Sequence, residues 1–139
     1  MIILDTNVIS EPLKKNPDPK VIQWLDEQDP NELHLTAVTL AEMEYGLWAL
    51  PSGKRRADLH NAITEIRETD FRGRILDFDT KASIFYGGHM ATARSAGKAV
   101  GELAGMIAAI ALANDRCRVA TRDIEPFRAM QVEVINPWD

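Results

Sequence analysis

Cysteine, charge blocks and long apolar runs are scarce or missing in this chain of 139 residues. Its one cysteine, Cys117, cannot close an internal disulfide, which suits a reducing cytoplasm. The residue falls in an apolar, strand-like run and reads as a buried thiol without chemistry. The longest apolar run, around residues 103 to 113, is too short to span a bilayer, and the N-terminus carries neither a basic leader nor a signal-length apolar stretch. The expectation is therefore a cytoplasmic chain with no membrane contact. A net charge of −5 excludes a surface that is basic all over and leaves room only for a local basic patch facing a phosphate chain. No repeat or low-complexity tract interrupts the sequence, so order is expected from end to end.

What is present is a globular composition, 45% hydrophobic and 27% charged, at a length that predicts a single domain over residues 1–139 around one core. Ile-Ile-Leu at residues 2 to 4 reads as a strand, and DTNVISEPL turns into a short helix cut by Pro12. PDPKVIQWLDEQDP has the spacing of an amphipathic helix with Val21, Trp24 and Leu25 on one face. LHLTAV predicts a strand, TLAEMEYGLWAL a helix, and SGKRRADLHNAITEIRETD a longer charged amphipathic helix, with Gly73 ending the segment after it. RILDF predicts the next strand, Thr80 to about Ala96 a helix capped by Asp79, ELAGMIAAIALAND an apolar helix, and CRVATRD and VEVINP the last strands. Strands alternating with helices predict an α/β fold, a parallel twisted sheet flanked by helices in three layers.

Ligands of such sheets bind outside the carboxyl ends of the strands. Three acids fall there: Asp5 directly after the first strand, Glu42 in the first turn of the helix after the second, and Asp123 after the strand in CRVATRD. Two to four carboxylates around one pocket suit a hard divalent cation such as Mg²⁺, which takes oxygen ligands, activates water and neutralises charge on a phosphate. Each acid also has a plainer reading. Asp5 suits a cap for the short helix, Thr39-Leu-Ala-Glu42 a capping box, and Asp123 a turn or cap. Their convergence on one sheet edge favours the metal site. His34, His60 and His89 lack metal-ligand spacing. Gly53-Lys54-Arg55-Arg56, with Arg72, Arg74, Arg94 and Arg122, reads as solvated charge or as a basic surface for RNA. Trp24, Trp48 and Trp138 read as core or interface residues rather than stacking platforms.

MIILDTNVISEPL, TLAEMEYGL, GKAVGELAGMIAAIA, VATRD and the terminal INPW together resemble the PIN-domain toxins of bacterial toxin–antitoxin pairs, the VapC family, especially its FitB-like branch. The likeness runs essentially the length of the chain. It implies a PIN-like fold and a Mg²⁺- or Mn²⁺-dependent endoribonuclease that cuts tRNA or other structured RNA. It also implies a small VapB-like antitoxin, a homodimer that antitoxins join into a dimer of heterodimers, and operator DNA met only through the antitoxin. By motif, the family's first, second and fourth acids fall on Asp5, Glu42 and Asp123 as catalytic and metal residues, with Thr6, Asn7 and Thr121 as supporting polar neighbours.

The third acid is missing. In the family an Asp stands three residues before the IAA run, and here that position is Ala104. Glu102 is roughly 200° away around a formed helix and substitutes only if the helix entry is distorted. Three accounts stay open: an engineered change that makes a poisonous protein expressible, a naturally decayed enzyme, and compensation by Glu102. Retention of the other three acids favours recent disarming. The competing reading is a catalytically inactive binding module that sequesters an antitoxin. A receiver-type phosphoacceptor, with Asp77 and Asp79 as its acids, ranks last for want of an acid pair after the first strand. An antitoxin is expected to bring an Arg to the acids and to dock on helix faces around Leu47 and Trp48.

Overall fold

The computed structural model describes residues 1–139. Five parallel strands lie in the order β3-β2-β1-β4-β5: β1 is Ile2–Leu4, β2 Leu33–Thr36, β3 Ile75–Leu76, β4 Arg118–Ala120 and β5 Val134–Ile135. Central β1 is buried along its whole length, because helices cover both faces of the sheet. Side chains alternate across a strand, so Ile3 faces one layer and Ile2 and Leu4 the other. The single core expected from composition is accordingly two, divided by the sheet.

On the Ile3 side pack α5 (Thr80–Ser95), α6 (Glu102–Ala113) and α7 (Ile124–Ala129), through Met90, Ile107, Ile110 and Phe127. On the other side lie α1 (Thr6–Ser10), α2 (Pro19–Glu27), α3 (Ala37–Trp48) and α4 (Lys54–Glu65), contributing Val8, Val21, Met43, Leu47 and Ile63. A wider turn over Ile66–Asp70 extends α4, and Gly73, at φ 78°, turns the chain into β3.

Asp79 caps α5, its carboxylate accepting from the Ala82 N–H at 2.9 Å, as the sequence predicts. Elsewhere the helix starts differ. The Thr39–Glu42 capping box is not formed: Thr36, the last residue of β2, caps α3 and its hydroxyl accepts from the Thr39 N–H at 3.1 Å. Helix α3 thus begins three residues before Leu40, and Glu42 moves into its second turn, free of any cap role. For α6 the cap position is Gly101, and no side chain caps it. Helix α7, with Pro126 in its first turn, is absent from the sequence-based reading, which assigns no element between CRVATRD and VEVINP.

Helices α5 and α6 approach closely at Gly105, where an added Cβ would lie 2.7 Å from Met90 Sδ and 3.3 Å from Tyr86 Cε2. Gly105→Val is expected to destabilise by about 1–3 kcal/mol in urea unfolding, as overpacking does. In a Met90→Ala background the same change is expected to cost less; an equal cost in both backgrounds would show that the Met90 contact is not the cause.

Candidate active site

Four of the five buried polar or charged residues, Asp5, Thr36, Thr39 and Thr121, sit at the carboxyl edge of the strands, and the fifth is Glu11. Strand order reverses between β1 and β4, and that switch point is where open α/β sheets form their ligand crevice. Asp5 leaves β1 and Asp123 follows β4 on the two sides of it.

Asp5 is pinned through its main chain, whose N–H donates to the Ala120 carbonyl at 2.9 Å. Its side chain serves two purposes. One oxygen, Oδ1, accepts from the Thr6 N–H at 2.8 Å and caps α1, as the plainer reading has it. The other, Oδ2, accepts from the Thr121 hydroxyl at 2.7 Å and the Asn7 amide at 3.4 Å, tying β1 to β4. Thr121 Oγ1 in turn accepts from the Asp123 N–H at 3.0 Å, which fixes the turn that carries Asp123. The Asp123 carboxylate is exposed and makes no cap hydrogen bond to α7.

Glu42 joins from the other flank. The Thr6 hydroxyl donates to its Oε1 at 2.8 Å and lies 3.2 Å from the Thr39 hydroxyl. Asn7 completes the network: its Nδ2 lies 3.4 Å from Thr121 Oγ1, and its Oδ1 accepts from the Arg122 N–H at 3.2 Å. The three acids are thus linked through Thr6, Asn7 and Thr121 at one edge. Thr39, read from sequence only as part of a cap, also belongs to this network; a hydroxyl in the turn before a candidate acid was the available signal.

Burial pushes the Asp5 carboxyl above the usual range, against hydrogen bonds from Thr121 and Thr6, and the Asp123 charge adds to the rise. Burial likewise raises Glu42, against the Thr6 hydrogen bond, with repulsion from Asp5 added. With the folded-state value above the unfolded one, the Glu42 carboxylate weighs against folding once pH rises through that value. In acid, where both states are protonated, the penalty is gone. Glu42→Gln keeps a carbonyl acceptor for Thr6 without the charge. In EDTA its melting temperature is expected above that of the unaltered chain at neutral pH, with the difference vanishing in acid; a lower value at neutral pH would contradict this.

Helix α6 feeds β4, so it runs against the strands and its first turn stands at the acidic edge. Ala104 is the third residue of that turn and is half-buried, while Glu102, the first, is exposed. The helix is already formed at Glu102, so the distortion that would swing this residue round to the Ala104 direction is not present.

The remaining candidates fall elsewhere. His34 contacts the Glu32 carbonyl, His89 the Met130 carbonyl, and His60 meets Trp48 edge-on. Arg74 donates to the Leu33 carbonyl and Arg94 to the Val100 carbonyl, so both hold the fold together. Trp24 packs on the core, Trp48 is 59% exposed, and Leu47, expected on a docking face, is wholly buried. A cleft of about 1170 Å³ opens beside Thr6 and Glu42, with Leu13, Met43 and Leu59 among its apolar walls and Lys14, Lys15, Lys54 and Arg55 among its charged ones. A smaller hollow of about 300 Å³, at Trp48, Arg56 and His60, lies apart from the acids. No helix is long and apolar enough to cross a membrane.

The PIN domain family model matches residues 2–132. The chain is similar to a VapC ribonuclease, Y4jK, of Sinorhizobium fredii, with 46% identity over 100% of this chain and 99% of that protein. It is similar also to the toxin FitB of Neisseria gonorrhoeae, with 41% identity over 99% of each. Among solved structures, FitAB bound to an IR36 DNA fragment superposes with a TM-score of 0.94 at 41% identity, covering 100% of this chain and 96% of that one.

Proposed function

The chain belongs to the PIN-domain family, among its VapC and FitB toxins, and from that premise we propose that it is a divalent-metal-dependent endoribonuclease toxin whose site lacks one acid. The observation that carries this reading is the hydrogen-bonded linkage of Asp5, Glu42 and Asp123 at the switch point of the sheet. Carboxylates raised by burial and by one another's charge are a donor set that a hard dication relieves, and all its donors are oxygen. No group of three His, Cys, Asp or Glu side chains is placed to hold an ion, so the reading requires a cation such as Mg²⁺ or Mn²⁺ that takes one or two carboxylates and fills its remaining positions with water. When bound, such an ion supplies an activated water and counter-charge for a phosphate.

The chain's own residues prepare for that. Thr121 and Thr6 hold Asp5 and Glu42 in single orientations, and Asn7 locks the β4 exit against β1. The cleft beside Glu42 gives a single-stranded RNA segment cations for its phosphates and apolar surface for its bases. The RNA proposed is tRNA or another structured RNA cut in an unpaired loop.

The partner proposed is a VapB-like antitoxin that brings an Arg to the acids in place of metal. With Leu47 buried, Trp48 is what remains of the docking face expected from sequence. DNA would be met through the antitoxin, and the toxin would pair as a homodimer within a dimer of heterodimers. Ala104 favours a second reading, a binding module that only sequesters an antitoxin. The two readings part in one experiment: RNA cleavage by Ala104→Asp, required to depend on Mg²⁺ or Mn²⁺ and to stop in EDTA. A variant that binds antitoxin yet never cuts RNA supports the module.

A further inference from the structure

Arg122 lies between Thr121 and Asp123, at the acidic edge, and is held from two directions. Its backbone N–H donates to Asn7 Oδ1 at 3.2 Å, and its guanidinium carbon sits 4.6 Å from the centroid of the Trp138 ring. The ring is anchored in turn. Trp138 follows β5 in a turn where its N–H donates to Asn136 Oδ1 at 3.0 Å, and the neighbouring β4–β5 pairing is extended by the Thr121 N–H donating to the Ile135 carbonyl at 2.9 Å. The ring packs against the apolar cluster on the Ile2 and Leu4 side of the sheet, and its indole N–H is buried with no hydrogen-bond partner. What Trp138 offers the site is a rigid face beneath a cation.

That cation makes no direct ion pair, although its charge, after that of Lys14, helps hold the Glu11 carboxyl below its usual range. Arg122 is exposed, its guanidinium is in none of the chain's ion pairs, and none of its side-chain donors meets a protein acceptor. Arg67, Arg74 and Arg94 all spend theirs on carboxylates or carbonyls. A guanidinium stacked on an aromatic face keeps its planar fork free for a bidentate anion, with less freedom to lose on binding it.

We infer that Arg122 is the residue that holds an RNA phosphate at the acidic edge, and that Trp138 is its positioning residue. This rests on the ribonuclease reading and adds to it a specific substrate contact beside β4, at a residue that is not part of the lining of the Lys- and Arg-lined cleft beside Glu42.

The unaltered chain, with alanine at the third-acid position, suits a binding test in which RNA stays intact. Fluorescence anisotropy of a short labelled single-stranded RNA with Mg²⁺ is expected to show Arg122→Ala about 10-fold weaker, with Arg122→Lys between the two. The salt slope should fall by about 0.7, as for one lost contact to a single strand. Trp138→Leu is expected to weaken binding about 2- to 5-fold in the unaltered chain but not in the Arg122→Ala background, and Trp138→Phe to retain most of it. If the unaltered chain binds RNA and Arg122→Ala binds it equally well, the inference fails alone. An equal loss from Trp138→Leu in both backgrounds overturns the positioning role. Failure of the unaltered chain to bind any RNA takes the ribonuclease reading down as well.

Discussion

Ala104→Asp is expected to raise metal-dependent RNA cleavage on the order of 10²- to 10³-fold, the effect of several kcal/mol of added transition-state charge stabilisation. Helix α6 presents position 104 in its first turn at the edge where Asp5, Glu42 and Asp123 are linked, so the new carboxylate adds an oxygen donor without refolding anything. The fold and antitoxin binding should be unaffected, because Ala and Asp are both tolerated in a first helical turn and an acid is favoured there by the helix dipole. The matching signs are growth arrest when the variant is expressed without antitoxin and loss of both effects on adding Asp5→Asn. Equal cleavage by the unaltered chain and the variant, at matched protein and metal, would show that the site was never disarmed. Glu102 would then be the ligand to examine, and the helix entry would have to open on binding metal.

Thr121→Val in that active background is expected to lower both Mn²⁺ affinity and cleavage about 10- to 100-fold, the usual cost of losing a group that orients a metal ligand. The Thr121 side chain is wholly buried, and its hydroxyl donates to Asp5 Oδ2 while accepting from the Asp123 N–H. Valine fills the same volume and can do neither, leaving a buried carboxylate oxygen with only the 3.4 Å Asn7 contact. Stability should fall by about 1–3 kcal/mol in urea unfolding. Thr121→Ser should recover most of both. Should Thr121→Val bind Mn²⁺ as tightly as the parent, the hydroxyl holds the fold but not the site.

Much of this protein could be read from its residues in order. The short apolar run Ile2–Leu4, the helical spacing of Val21, Trp24 and Leu25, and the Asp79 cap are local patterns, legible from neighbouring residues alone. The parallel sheet followed from the alternation of elements, and the three acids from their places after strands. The expectation of an acid at position 104 rests on the family resemblance alone, since alanine in an apolar helix raises no local alarm. Tertiary structure decided the rest. Thr36 rather than Thr39 caps α3, because the cap depends on where β2 stops pairing with its neighbours, and only that frees Glu42 for Thr6. The Thr121–Asp5 and Asn7–Arg122 contacts join residues from opposite ends of the chain, and the Arg122–Trp138 contact joins the segments that follow β4 and β5. No periodicity encodes them; they arise because β4 adds beside β1 and β5 beside β4, bringing the exits of the first and last strands to one sheet edge.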